Sequence, residues 1–171
     1  MFKRKLLGRG AFTTAYQISE TVAEIKTTCP AKECYAMFSQ GNPLAPVIEH
    51  VDSTDTHRIY HMPVYAKIMS AKKQLNPAAY KLYTELSKIS CTVTDYYDFI
   101  KSLDVLDLTE EDKENVTELA NDVANGINPL DFGFEISRRN IAANENGDLI
   151  MLDCFFCRKT LQKQRTGKPW N

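Results

Sequence analysis

The chain has 171 residues, 43% of them hydrophobic and 25% charged, with 21 lysines and arginines against 22 aspartates and glutamates for a formal net charge of −1. That length suits one domain or two lobes sharing a cleft, and the composition excludes a disordered tail, a collagen-like repeat and a coiled coil. The charge balance argues against a nucleic-acid partner, no run approaches the roughly 20 apolar residues of a membrane helix, and five cysteines with no secretory signal suit reduced thiols in a cytoplasmic protein.

Along the chain, residues 1–69 are expected to be mainly β. Leu6-Leu7 leads into a turn carrying Gly8 and Gly10, and two alternating runs, 15–18 and 22–26, make a hairpin across Ser19-Glu20. Pro30 at an early helical position, with Cys34, Met37 and Phe38 at i, i+3 and i+4 as the apolar face, predicts a short helix over 30–39 that Gly41 and Pro43 stop. A second hairpin is expected from 47–51 and 58–65, with Pro63 marking an edge or a bulge. From Asn76 the period becomes helical. Asn76-Pro77 starts one helix, with Tyr80, Leu82, Tyr83, Leu86 and Ile89 on its apolar face. Thr94 opens a second, and Thr109 caps an acid-rich third that buries Val116, Leu119, Ala120 and Val123. The chain closes with 141–143 and 149–152 on either side of Asn146-Gly147, a strong hairpin signal. The fold class is therefore α+β, β-rich over 1–69 and mainly helical over 70–171.

Three features fall in the order that a phosphate-handling cleft needs. The first is Leu7-Gly8-Arg9-Gly10-Ala11-Phe12, where glycines let backbone N–H groups approach phosphate oxygens with no Cβ between; alone it reads first as an ordinary hairpin. The second is Lys26, whose ammonium can pair with phosphate if it faces a cleft and is otherwise a solvated strand lysine. The third is Glu135, Asn140 and Asp153 around the last hairpin. Magnesium takes oxygen ligands, keeps waters and is completed by phosphates, so Asn140 and Asp153 would suffice. Asp153 follows an apolar run, where an ionised carboxylate needs a charged partner or a metal. Other groupings are weaker. Cys154-x-x-Cys157 with Cys29 and Cys34 offers four thiols, for which apolar burial is the plainer reading. His57 and His61 lack a third ligand, and the basic residues from Arg158 to Lys168 read as a solvated tail.

Together these segments resemble a protein kinase. Residues 7–16 resemble the glycine-rich loop, 23–26 the strand bearing the ATP-orienting lysine, and 135–153 the catalytic loop and metal-binding segment. More narrowly, the compact first hairpin and the short 34–40 segment are similar to the early serine/threonine protein kinases of T7-type bacteriophages. The resemblance implies a minimal bilobal kinase-like fold that uses ATP and Mg²⁺ to modify a host protein in the host cytoplasm. By position, Gly8, Gly10, Phe12 and Lys26 would bind the nucleotide, Asn140 and Asp153 the magnesium, and Glu135 would stand where kinases place the catalytic aspartate. There are departures. Glu135 is longer than aspartate and follows Gly133-Phe134 in place of His-Arg; Thr13 stands for a third glycine; Asp153 precedes Cys154-Phe155. The literal Asp131-Phe132-Gly133 is a decoy, because it lies before Asn140. Glu33 is the sole nearby candidate for the helix glutamate that pairs with the lysine, and reads more simply as a solvated position. The 18 residues after Asp153 are too few for the usual activation segment and substrate-binding helices. These departures leave a second expectation open: a pseudokinase that inhibits or redirects a host protein by docking.

Overall fold

Residues 2–166 are described by the computed structural model, and among them nine strands and six helices form an α+β fold. β1 (Lys5–Arg9), β2 (Thr13–Gln17) and β3 (Val22–Thr27) make an antiparallel meander. β5 (Arg58–Pro63) pairs with β3 and with β4 (Glu49–Ser53), giving the order β1-β2-β3-β5-β4. Alternation decides the faces of this sheet. In β3, Ala23, Ile25 and Thr27 are buried, so Val22, Glu24 and Lys26 project from the other side. Ile25 stands opposite Ala15 and Tyr60, whereas Lys26 stands opposite Thr14 and Ile59. The inner face packs Ala23, Ile25, Tyr60 and Met62 against Ala36 and Ile48.

α1 (Pro30–Phe38) connects β3 to β4 and lies against the helical half of the molecule. Its buried face is Ala31, Lys32, Tyr35 and Ala36, which corrects the expected face of Cys34, Met37 and Phe38. Met37 and Phe38 are each 56% exposed. The helix lies between the sheet and the helical core, and the two i, i+4 pairs 31/35 and 32/36 fill that gap, leaving the apolar end of the helix outward.

Caps delimit the helices that follow the short α2 (Ala71–Gln74). Asn76 caps α3 (Pro77–Ile89) by accepting from the Ala79 N–H, and Thr109 caps α5 (Glu110–Ala124) by accepting from the Asp112 N–H, both as expected. α4 (Tyr96–Asp104) is capped by Asp95, and Thr94 serves by bonding to Asp98. Val116, Leu119, Ala120 and Val123 of α5 are fully buried.

Two short ladders complete the fold. β6 (Phe132–Phe134) pairs with β9 (Phe155–Cys157), and nested inside that pairing β7 (Ile141–Ala143) pairs with β8 (Leu149–Met151). Gly147 turns the inner hairpin at φ +78°, and a Cβ there would meet the Asn76 backbone nitrogen at 3.0 Å. Phe99 of α4 joins Phe132, Phe134 and Phe155 in a buried cluster, with ring centroids 4.9–6.1 Å apart. Each such side chain stabilises by about 1.5–3 kcal/mol on burial, so this cluster is a firm floor for the loops above it. α6 (Arg158–Thr166) follows β9 directly; Lys168 of the expected basic tail lies outside the described residues. Among the described residues no helix is long and apolar enough to cross a membrane.

Candidate functional site

Nesting one ladder within the other brings segment 135–140 beside residues 152–154. The Glu135 N–H donates to the Cys154 carbonyl at 2.9 Å, and the Leu152 and Asp153 N–H groups both donate to the Asn140 carbonyl, at 2.8 and 3.1 Å. Glu135, Asn140 and Asp153 are thus gathered by main-chain bonds at one end of the double hairpin. The Glu135 side chain is exposed, and among the described residues its carboxylate makes no hydrogen bond or ion pair. It also lines a depression of about 420 Å³ with Cys91, Phe156 and Arg165. A second depression, of about 200 Å³, lies beside Glu33, His57 and Arg58; Asp153 lines neither.

The Asn140 amide is committed to its own loop. Its Oδ1 accepts from the Ser137 N–H at 2.6 Å and from the Ser137 hydroxyl at 3.2 Å, while Nδ2 donates to the Glu135 carbonyl at 2.7 Å. Asp153 is recessed but open on one side. Its side chain is 46% exposed, yet burial pushes its carboxyl above the usual range, with Lys32 pulling it partly back.

Lys32 is the unexpected member of this group. It is 4% exposed; its Nζ donates to the Leu152 carbonyl, lies 3.9 Å from Asp153 Oδ1 and sits 5.0 Å from the centroid of the Tyr35 ring. One turn along α1, Tyr35 donates its hydroxyl to the Met151 carbonyl at 2.5 Å. Burial holds that phenol well above its ordinary range, so it stays a donor. α1 therefore grips two consecutive carbonyls, those of Met151 and Leu152, just ahead of Asp153.

Lys26 is not brought to this cluster. Because Ile25 points inward, Lys26 points to the outer face of the sheet, 3.7 Å from Glu24. Glu24 also pairs with Arg4, whose guanidinium lies 4.0 Å over the Tyr16 ring. Glu33 pairs with Arg58 at 2.9 Å, and among the described residues it forms no ion pair with Lys26. The glycine loop has a different character. Gly8 lies beside a bulge opposite Ala15, has an ordinary φ, and would meet nothing within 4 Å if it carried a Cβ. The Gly10 N–H donates to the Thr13 carbonyl at 2.8 Å. Phe12 turns inward against the main core, and its carbonyl accepts from the Thr28 N–H at 3.1 Å, tying the loop to the segment leading into α1.

Among the described residues no group of three or more His, Cys, Asp or Glu could hold a metal ion, which leaves the four-thiol grouping without support. Cys29, Cys154 and Cys157 are buried as free thiols. Magnesium asks for less, one carboxylate with waters and phosphates. Asp153 meets that demand through its open side; Asn140 does so only by releasing Ser137. Lys32 and Tyr35 went unforeseen, although the signal was present: Lys32 stands three before Tyr35 and four before Ala36, on one helical stripe with them. Neither the protein-family models nor the curated proteins include a match to this chain.

Proposed function

We propose that the chain is a compact, bilobal protein-kinase-like phosphotransferase, similar to those that T7-type phages make early in infection, using ATP and Mg²⁺ to phosphorylate serine or threonine of a host protein in the host cytoplasm. The observation that carries the reading is the gathering of Glu135, Asn140 and Asp153 at one end of the nested ladders, in the chain order that a kinase catalytic loop and metal segment require. A five-stranded sheet bearing a glycine turn, followed by a helical half, supports it further. Asp153 is the residue that would hold magnesium, which when bound neutralises charge on the transferring phosphates. Glu135 offers an unpaired carboxylate to the acceptor hydroxyl and takes its proton. Gly8 leaves open space beside the turn, where a Cβ would meet nothing within 4 Å.

A second reading has specific observations in its favour. The Asn140 amide is used up within its loop and Lys26 faces away, as in a kinase-shaped module that inhibits or redirects a host protein by docking alone. Incubation with γ-phosphate-labelled ATP, a generic serine/threonine acceptor and host extract separates the two. Label on protein that disappears in Glu135→Gln is expected for the phosphotransferase. A folded protein that labels nothing, itself included, refutes it and leaves docking.

A further inference from the structure

A lysine in the first turn of a helix is poorly placed. The helix N-terminus carries partial positive charge, so an ammonium there is repelled, and burying it adds the loss of hydration. Lys32 bears both costs: it is the third residue of α1 and only 4% exposed. What it receives in return is small. An ammonium has three N–H donors, and among the described residues Lys32 makes a single hydrogen bond, to the Leu152 carbonyl, with Asp153 Oδ1 beyond hydrogen-bond distance at 3.9 Å. The face of the Tyr35 ring adds a weak attraction at 5.0 Å. A methionine would fill the same volume without these costs. A buried cation with unused donors, next to a carboxylate that is open on one side, is matched by an anion that brings its own counter-cation, and a magnesium-bound polyphosphate is such a ligand.

From this geometry we infer that Lys32, carried by α1, is the ammonium that binds the phosphate oxygens of the nucleotide, in place of Lys26 on β3. The inference rests on the nucleotide reading above and changes the residue that serves it. Lys26 cannot take the role without reversing the parity of β3, which would bury Glu24 and expose Ile25. Lys32 needs no rearrangement of the sheet; its ammonium already stands beside Asp153, and α1 is held there independently by the Tyr35 bond to Met151.

The test uses the full chain and an adenosine bearing a 5′-sulfonylbenzoyl fluoride, which transfers its sulfonyl group to a nearby amine with loss of fluoride. Labelling is run with and without excess ATP and magnesium, and the modified lysine is found by peptide mapping. ATP-protected label at Lys32 and none at Lys26 is the expected result. In parallel, Lys32→Met weakens ATP binding roughly 10- to 100-fold, the worth of one or two charge-assisted hydrogen bonds, while Lys26→Met leaves it within about twofold. Labelling of the unaltered protein carries the test if Lys32→Met does not fold. Protected label at Lys26, or ATP binding that survives Lys32→Met and fails in Lys26→Met, overturns the assignment and leaves the nucleotide reading standing. ATP that protects no lysine while still raising the melting temperature also overturns it. ATP that neither protects nor stabilises removes the nucleotide reading itself, and this assignment with it.

Discussion

Replacing Asp153 with asparagine separates what that carboxylate does for the fold from what it does for a ligand. A carboxylate 3.9 Å from a 4%-exposed ammonium looks like a buried ion pair, whose disruption costs about 3–5 kcal/mol. Two observations argue for much less. The Asp153 side chain is 46% exposed, and burial raises its pKa more than Lys32 lowers it. A carboxyl raised in the folded state contributes its full stability below the unfolded value of about 3.9 and loses it as pH rises through the folded value. Once ionised, the group is therefore a cost to folding, and Lys32 keeps its bond to Leu152 without it. Asp153→Asn is expected to stay within about 1 kcal/mol of the parent, or roughly 2–4 °C in melting temperature, and to gain on the parent as pH rises from below 4 towards 7. Ligand stabilisation behaves differently. ATP at a hundredfold excess over its dissociation constant adds about 2.7 kcal/mol, roughly 5–11 °C by the same conversion. Thermal unfolding followed by circular dichroism, with and without ATP and magnesium, should give that shift for the parent and little of it for the variant. A variant destabilised by more than about 3 kcal/mol would mean that the ion pair dominates. An ATP shift equal to the parent's would mean that Asp153 does not serve the nucleotide.

Tyr35→Phe leaves the Met151 carbonyl without its phenol donor and should cost about 1–3 kcal/mol in urea unfolding; a neutral result would mean that α1 is held by other contacts. Gly133→Ala drives a Cβ to 2.5 Å from the Phe156 ring and should cost about 1–3 kcal/mol, less if that half-buried ring swings aside, as a structure of the variant would reveal. Gly8→Ala meets nothing and should leave the melting temperature unchanged or raised by up to about 1 kcal/mol of stability, while lowering ATP affinity in titration calorimetry. Brief alkylation at neutral pH should modify exposed Cys91 first, because burial pushes the Cys29, Cys34 and Cys154 thiols up; early modification of Cys154 by mass spectrometry would contradict its enclosure.

Much of the fold was legible because its signals are local. The β2–β3 hairpin follows from alternation, α3 from Asn76-Pro77, α5 from Thr109 and its acidic first turn, and the β7–β8 turn from Asn146-Gly147. The adjacency of Glu135, Asn140 and Asp153 was legible for a related reason: a tight hairpin between Asn140 and Asp153 leaves its two ends nowhere else to go. Strand parity was harder, because Val22 to Lys26 alternates whichever way it is turned. Glu24 held the deciding clue. It shares a face with Lys26, and two charges on one face mark the outside of a sheet. β6 and β9 escaped notice because each is only three residues long and their pairing spans the intervening hairpin, a long-range event that no local pattern announces. The buried face of α1 was hidden differently. Met37 and Phe38 are the more apolar residues, and only the squeeze between sheet and helical core makes Lys32 and Ala36 the inner pair.

The site joins two kinds of construction, and they respond differently to force. Glu135, Asn140 and Asp153 are set by backbone bonds over the phenylalanine cluster, so they move only if the nested ladders open. Lys32 and Tyr35 are side chains of one helix, three residues apart, and whatever translates α1 carries both off the Met151 and Leu152 carbonyls together. The far end of α1 is tied to α5 through Ser39 with Asp122 and through Asn42 with the Asn115 carbonyl and Glu118. A shift of α1 relative to both α5 and the 151–152 segment must therefore break polar bonds at both ends, each worth about 1 kcal/mol. That coupling makes the position of the ammonium close to all-or-none: α1 is seated, with Lys32 beside Asp153, or it has left both anchors.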